Sequence, residues 1–184
     1  MFKEIAITSV LILASATSFA KGFELSSTDI QKGKAIAKMF TFNGFGCTGE
    51  NISPALSWKN APADTKSFAV MVYDPDAKTG GGGFRHWVVI NLPSSATGIA
   101  KGEGKIGMST LPEGGEQITT DFGTPGWGGP CPPMGDAPHH YQFTVYALKV
   151  DKLQLPANAT AGLAGFMVNM NSIGKASFTS TYGR

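Results

Sequence analysis

Two uninterrupted apolar runs constrain the fold of this chain more than anything else in it. Residues 67–73 read Ser-Phe-Ala-Val-Met-Val-Tyr and residues 86–92 read His-Trp-Val-Val-Ile-Asn-Leu. Both are rich in β-branched and aromatic side chains, and each stops at a proline turn, Asp74-Pro75 and Pro93. A strand with one wet face alternates apolar and polar residues, whereas an apolar run without alternation is buried on both faces. Strands of that kind require a sheet covered on either side. Residues 141–150 predict a third strand, with Tyr141, Phe143, Val145 and Ala147 on one face and Gln142, Thr144 and Tyr146 on the other. Residues 175–182 predict a late fourth, with Ala176, Phe178 and Ser180 inward.

A single segment carries helical spacing. Leu163, Phe166, Met167, Met170 and Ile173 recur at three and four residues, after Pro156 and the cap candidates Asn158 and Thr160. This Met-rich stripe is expected to pack into the core. Residues 27–40 fit a poor helix or a bulged strand, and periodicity does not decide. Residues 97–130 hold ten glycines and little periodicity, and they lack the Ser/Lys/Glu composition of disorder. They read as a long functional loop region. No repeat or boundary divides the chain, so the pattern is one mainly β domain with a helix late in the chain.

The first twenty residues stand apart. Lys3, an apolar run over residues 5–17, and small residues at Ser18 and Ala20 fit a signal peptide cut after Ala20, leaving residues 21–184 as the domain. The run is shorter than the roughly 20 residues a membrane span needs. A net charge of +2 with no Lys/Arg run argues against nucleic acid and acidic membrane surfaces. After a signal peptide, exactly two cysteines, Cys47 and Cys131, point to a disulfide in a periplasmic or secreted protein. Buried thiols or a metal pair are the alternatives.

All three histidines lie on Gly/Pro-rich segments that run straight into strands. One segment runs from Asp74-Pro75-Asp76 through four glycines to His86-Trp87; the other runs from Gly128-Gly129-Pro130-Cys131-Pro132-Pro133 to His139-His140-Tyr141. Stiff loops backed by strands are where sites are built. Asp74 ends a strand, where it can fix a histidine tautomer; Asp76 either caps the turn or joins the site. Alternation puts His139 and Tyr141 on one face and His140 on the other. Gly128 and Gly129 leave room for backbone N–H groups to point at an anion. Trp87 and Trp127 either line the pocket or belong to the core. Two imidazoles, a phenol and loop N–H groups suit a small oxyanion, above all phosphate. Three rivals remain: an Asp/His/His metal site, a Ser hydrolase without a Gly-x-Ser-x-Gly elbow, and a free Cys131 nucleophile beside His139. There is no P-loop and no dinucleotide fingerprint, so no cofactor is expected.

Several ordered blocks carry a resemblance. Asn51-Ile52-Ser53-Pro54-Ala55-Leu56-Ser57-Trp58, Tyr73-Asp74-Pro75-Asp76-Ala77, His86-Trp87-Val88-Val89-Ile90-Asn91, and Gly129 to Gly135 through His139-His140-Tyr141 resemble the signature blocks of the phosphatidylethanolamine-binding protein family, also called Raf kinase inhibitor-like. The signal peptide, cysteine pair and Cys-Pro-Pro loop place the likeness in its bacterial periplasmic branch. The resemblance implies two antiparallel sheets, one large and one small, with a few peripheral helices. It implies a non-enzymatic binder or inhibitor whose small pocket takes phosphate, acetate, cacodylate or a phosphoethanolamine headgroup. By position the pocket would use Asp74, His86, Pro132, Pro133, His139 and Tyr141, with Asp76 at its rim and no metal. A protein partner and a homodimer fit the same resemblance. The alternative function is a protein-interaction or protease-inhibitor module with a vestigial pocket, and after it a hydrolase. Three departures stand out: Lys78 where the family usually has a second proline, His140 where Arg is common in eukaryotic members, and a sequence ending soon after Tyr182, from which no C-terminal covering helix is expected. They argue against carrying over kinase-cascade control.

Overall fold

The computed structural model describes residues 22–106 and 111–184, so the leader expected over residues 1–20 lies outside the described residues. In chain order the strands are β1 (Glu24–Ser26), β2 (Asn43–Gly44), β3 (Cys47–Thr48), β4 (Leu56–Lys59), β5 (Ser67–Asp74), β6 (Phe84–Pro93), β7 (Gly98–Ile99), β8 (Glu116–Gln117), β9 (His139–Leu148) and β10 (Ser172–Tyr182). The helix α1 (Ala161–Asn171) precedes β10, and a 3-10 turn covers Lys38–Phe40. The large sheet has five antiparallel strands in the order β10-β9-β5-β6-β8; a three-stranded sheet, β1-β4-β7, lies apart from it. The mainly β architecture agrees with the expectation. The pair β2-β3 adds a small ribbon, and one α-helix stands where a few were implied.

The uninterrupted runs are explained by what covers each face. From β5, Phe68, Val70 and Val72 join Trp87 and Val89 of β6, Phe143 of β9, and Leu56 and Trp58 of the small sheet. Ala69 and Met71 point the other way, with Val88 and Ile90, toward Ala161, Ala164 and Val168 of α1. Each large aliphatic or aromatic side chain so buried contributes about 1.5–3 kcal/mol. With both faces dry, neither β5 nor β6 has any position for a polar alternation.

The helix is where expected, capped by Thr160, whose Oγ1 accepts from Leu163 N at 3.2 Å. Its packing is not. Leu163, Phe166, Met170 and Ile173 are exposed, Phe166 and Met170 each to 61 %. The buried positions are Ala161, Ala164, Gly165 and Val168. The cause is close approach: a Cβ at Gly165 would stand 3.1 Å from Met71 Cε. A helix this near a sheet can turn only its small side chains inward.

Residues 27–40 form neither an α-helix nor a regular strand, apart from the 3-10 turn at Lys38–Phe40. They run along the edge of β10 through Gly33 N–H to Thr179 O (2.7 Å) and Ile36 N–H to Thr181 O (2.8 Å). This covers an edge that would otherwise be open for pairing. The glycine-rich region is tied down too: Gly104 N–H donates to Ser53 Oγ at 2.8 Å, and Trp127 N–H to Gly104 O at 2.8 Å. Trp87 and Trp127 pack edge-to-face at 5.8 Å in the core, away from the pocket.

Candidate functional site

Antiparallel order brings the histidine loops together. β5 lies between β6 and β9, so its last residue, Asp74, sits between the first residues of both neighbours. There a cavity of about 410 Å³ opens, lined by Asp74, Lys78, His86, Pro132, Pro133, Asp136, His139 and Tyr141, with Phe45, Phe84 and Phe122 as its aromatic wall.

Asp74 and His139 form the floor. Both are nearly inaccessible, and His139 Nδ1–H donates to Asp74 Oδ2 at 2.7 Å. The other oxygen, Oδ1, accepts from the backbone N–H of Asp76 (2.9 Å) and Ala77 (3.2 Å). The aspartate thus has all its strong directions satisfied and fixes the ring, which leaves Nε2 facing the cavity. This is the tautomer-fixing role the sequence suggested.

His86 is buried beside it. Its Nδ1–H donates to Gly128 O at 2.6 Å, and Phe84, Phe122 and Tyr141 meet its ring at edges and faces within 5.5 Å. Burial pushes its pKa down, opposed by the Gly128 carbonyl. Neutral His86 therefore presents a lone pair at Nε2. Tyr141 is fully buried, and its hydroxyl lies beside the Asp74 carboxylate without a well-formed hydrogen bond among the described residues. Burial first, and then the Asp74 charge, push its pKa up. It stays a phenol, hence a donor, at any physiological pH.

The second loop is held from three directions. The Cys47–Cys131 disulfide, with Cα atoms 6.0 Å apart, ties it to β3, as expected from the cysteine pair. Asn51 clamps it by donating Nδ2–H to Trp127 O (3.1 Å) and accepting Gly129 N–H at Oδ1 (2.7 Å). Arg184 Nε–H donates to Pro132 O at 2.6 Å. Gly129 is required by crowding, because a Cβ there would run into the Phe40 carbonyl oxygen and the Thr41 backbone.

Some expectations change. Gly128 N–H donates to His86 O and Gly129 N–H to Asn51, so neither points at an anion. Asp76 lies outside the cavity lining. Its Oδ2 accepts from His140 N–H (2.7 Å) and pairs with His140 Nδ1 (2.8 Å), which pins the start of β9. The His140 hydrogen bond holds the Asp76 carboxyl below its usual range. His140 faces outward as alternation predicted, its side chain 57 % exposed. Asp136 and the phenylalanine wall went unread in the sequence; only their place in the Cys-Pro-Pro and glycine-rich segments hinted at them. Among the described residues no group of three His, Cys, Asp or Glu side chains converges as metal ligands.

The structure is thus a covered antiparallel sheet with an aromatic-walled cavity at its strand ends and buried Asp74, His86 and His139 on the cavity floor. The chain belongs to the phosphatidylethanolamine-binding protein family, whose model matches residues 26–183. It is 43 % identical over 180 residues to the protein YbcL of Escherichia coli, covering 98 % of each chain. It is 42 % identical to YbhB of the same organism, covering 86 % of this chain and 99 % of that one. The crystal structure of YbcL, described as a new member of the mammalian PEBP family, superposes with a TM-score of 0.86 at 45 % identity, over 89 % of this chain and 99 % of that chain. Proteins of this family are generally binding proteins rather than enzymes. No described helix is long and apolar enough to cross a membrane.

Proposed function

We propose that the cavity binds a small oxyanion, either phosphate or the phosphate of a phosphorylated headgroup or peptide, and that the protein acts through this binding rather than through catalysis. One observation carries the proposal: the Tyr141 hydroxyl, buried at the cavity wall beside Asp74 with no well-formed hydrogen bond. A buried donor left without a good hydrogen bond costs about 1–3 kcal/mol, and a ligand acceptor removes that cost. Beside it stand His139 Nε2, oriented by Asp74, and His86 Nε2, oriented by Gly128. A phenol donor beside imidazole nitrogens, which accept when the ring is neutral and donate when it is protonated, matches an oxyanion that keeps a proton, as a phosphomonoester does near neutrality.

The lining hydroxyl of Thr79 donates to Gly83 O at 2.8 Å, and Cys131 is held in its disulfide, which supports binding over covalent chemistry. The same bridge supports export to an oxidising compartment through the 1–20 leader.

The test is a titration of inorganic phosphate and phosphoethanolamine, followed through the imidazole resonances of His86 and His139. Saturable shifts of both rings at millimolar ligand are expected. Unmoved rings overturn the proposal.

A further inference from the structure

Asp136 bridges two groups that line the cavity. Its Oδ1 is 3.1 Å from Lys78 Nζ and its Oδ2 is 3.4 Å from His139 Nε2, which donates to it when the Asp74-bound ring carries protons on both nitrogens. Lys78 and His139 both line the cavity, one at the mouth and the other at the floor. A single carboxylate therefore joins the cavity's cationic lysine to its oriented imidazole. We propose that Asp136 is a built-in stand-in for the ligand, holding Lys78 and His139 until an entering oxyanion displaces it, and so setting how strong an anion must be to bind. This inference rests on the oxyanion reading of the cavity.

The contrast with Asp74 shows why one carboxylate is displaceable and the other is not. Asp74 is 2 % exposed and bound by a ring N–H and two backbone N–H groups. Asp136 has a side chain 23 % exposed, makes longer contacts, and leans on a lysine that is 80 % exposed. Exposed pairs of that kind hold only weakly. The hydrogen bond from Lys78, and then that from His139, hold the Asp136 carboxyl below its usual range, so it is present as the anion.

Asp136 sits in a turn that can release it. Its backbone N–H reaches Pro133 O at 3.3 Å, and Gly135 before it adopts a φ of 87°. A ligand's affinity falls by the fraction of molecules in which its donors are free, so a tethered carboxylate lowers the apparent affinity of every competing anion. Weak anions such as acetate, which match the stand-in charge for charge, are excluded more effectively than phosphate.

The test compares Asp136→Asn with Asp151→Asn, which makes the same charge change beyond the far end of β9. Calorimetric titration with inorganic phosphate is expected to give Asp136→Asn a Kd about five- to tenfold lower than wild type, the worth of an exposed pair plus the like charge removed. Asp151→Asn should bind as wild type does. The His139 ring resonance should differ between free wild type and free Asp136→Asn and converge when both are phosphate-bound, which a merely structural role would not produce. Unchanged or weaker phosphate binding by Asp136→Asn overturns the inference. So does a loss confined to phosphoethanolamine, which would make Asp136 a receptor for the ammonium group. If neither protein binds any anion, the oxyanion reading falls and this inference with it; if both bind alike, only the role of Asp136 falls.

Discussion

The cavity end of the large sheet and its helix-covered face use their side chains in opposite ways. At the cavity, polar groups are buried: Asp74, His86 and His139 are each at most 4 % exposed. Under α1, large apolar groups are left outside while alanines and a glycine pack inward. Polar burial is tolerated at the cavity because nearly every group there has a partner in place before any ligand arrives. Apolar exposure is tolerated on α1 because the helix lies so close to the sheet at Gly165 that the Met71 side chain already fills the space a larger inward residue would need. Residue type alone does not say which side chain goes inside; the partner or the spacing decides.

The largest expected effect tests the first half of that contrast. Asp74→Ala leaves His139 and two backbone N–H groups without their acceptor in a buried site. It should cost about 3–5 kcal/mol in denaturant unfolding. A cost below about 1 kcal/mol would show that the floor is not held by this pair.

The second half is tested on the helix. Ala164→Leu forces a branched side chain against the sheet and should cost about 1–3 kcal/mol. Phe166→Ser, on the exposed stripe, should stay within about 0.5 kcal/mol of wild type. Equal costs would mean that the helix packs on its Met-rich face after all.

The pH profile gives a smaller effect. Burial lowers the pKa of His86, so below the ordinary histidine value of about 6.5 the unfolded chain binds more protons than the folded one. Stability should therefore fall as pH drops from 7 toward 5. Sulfate, which does not titrate in that range, should offset part of the loss by pairing with protonated His86. His86→Gln should flatten this part of the profile; a profile as steep as wild type would assign the loss to other groups.

How far the sequence speaks follows the same division. β5 and β6 were legible because an apolar run without alternation has one physical meaning, and β9 because strict alternation has another. The pocket set was legible because Asp74, His86 and His139 all sit at strand ends, and antiparallel neighbours bring such ends together. In the sequence Asp76 stays between a turn role and the pocket rim, because its pairing with His140 depends on how the turn places it against the start of β9. Asp136 escaped notice because only the folded second loop brings it to Lys78 and His139. The glycine N–H groups were assigned to an anion because the Asn51 clamp joins segments far apart in the chain. On α1, periodicity found the helix, but the depth of its approach to the sheet is a tertiary fact that the stripe does not encode.

Tyr141→Phe tests the central claim most directly, because it separates the ligand's needs from the fold's. Thermal unfolding and phosphate titration should be measured on the same sample. Removing a buried hydroxyl that lacks a well-formed hydrogen bond should leave the Tm unchanged or slightly raised, while phosphate affinity falls about tenfold, the worth of one hydrogen bond to a charged group. A lowered Tm with unchanged affinity would make the hydroxyl part of the scaffold and contradict a cavity built to receive an oxyanion.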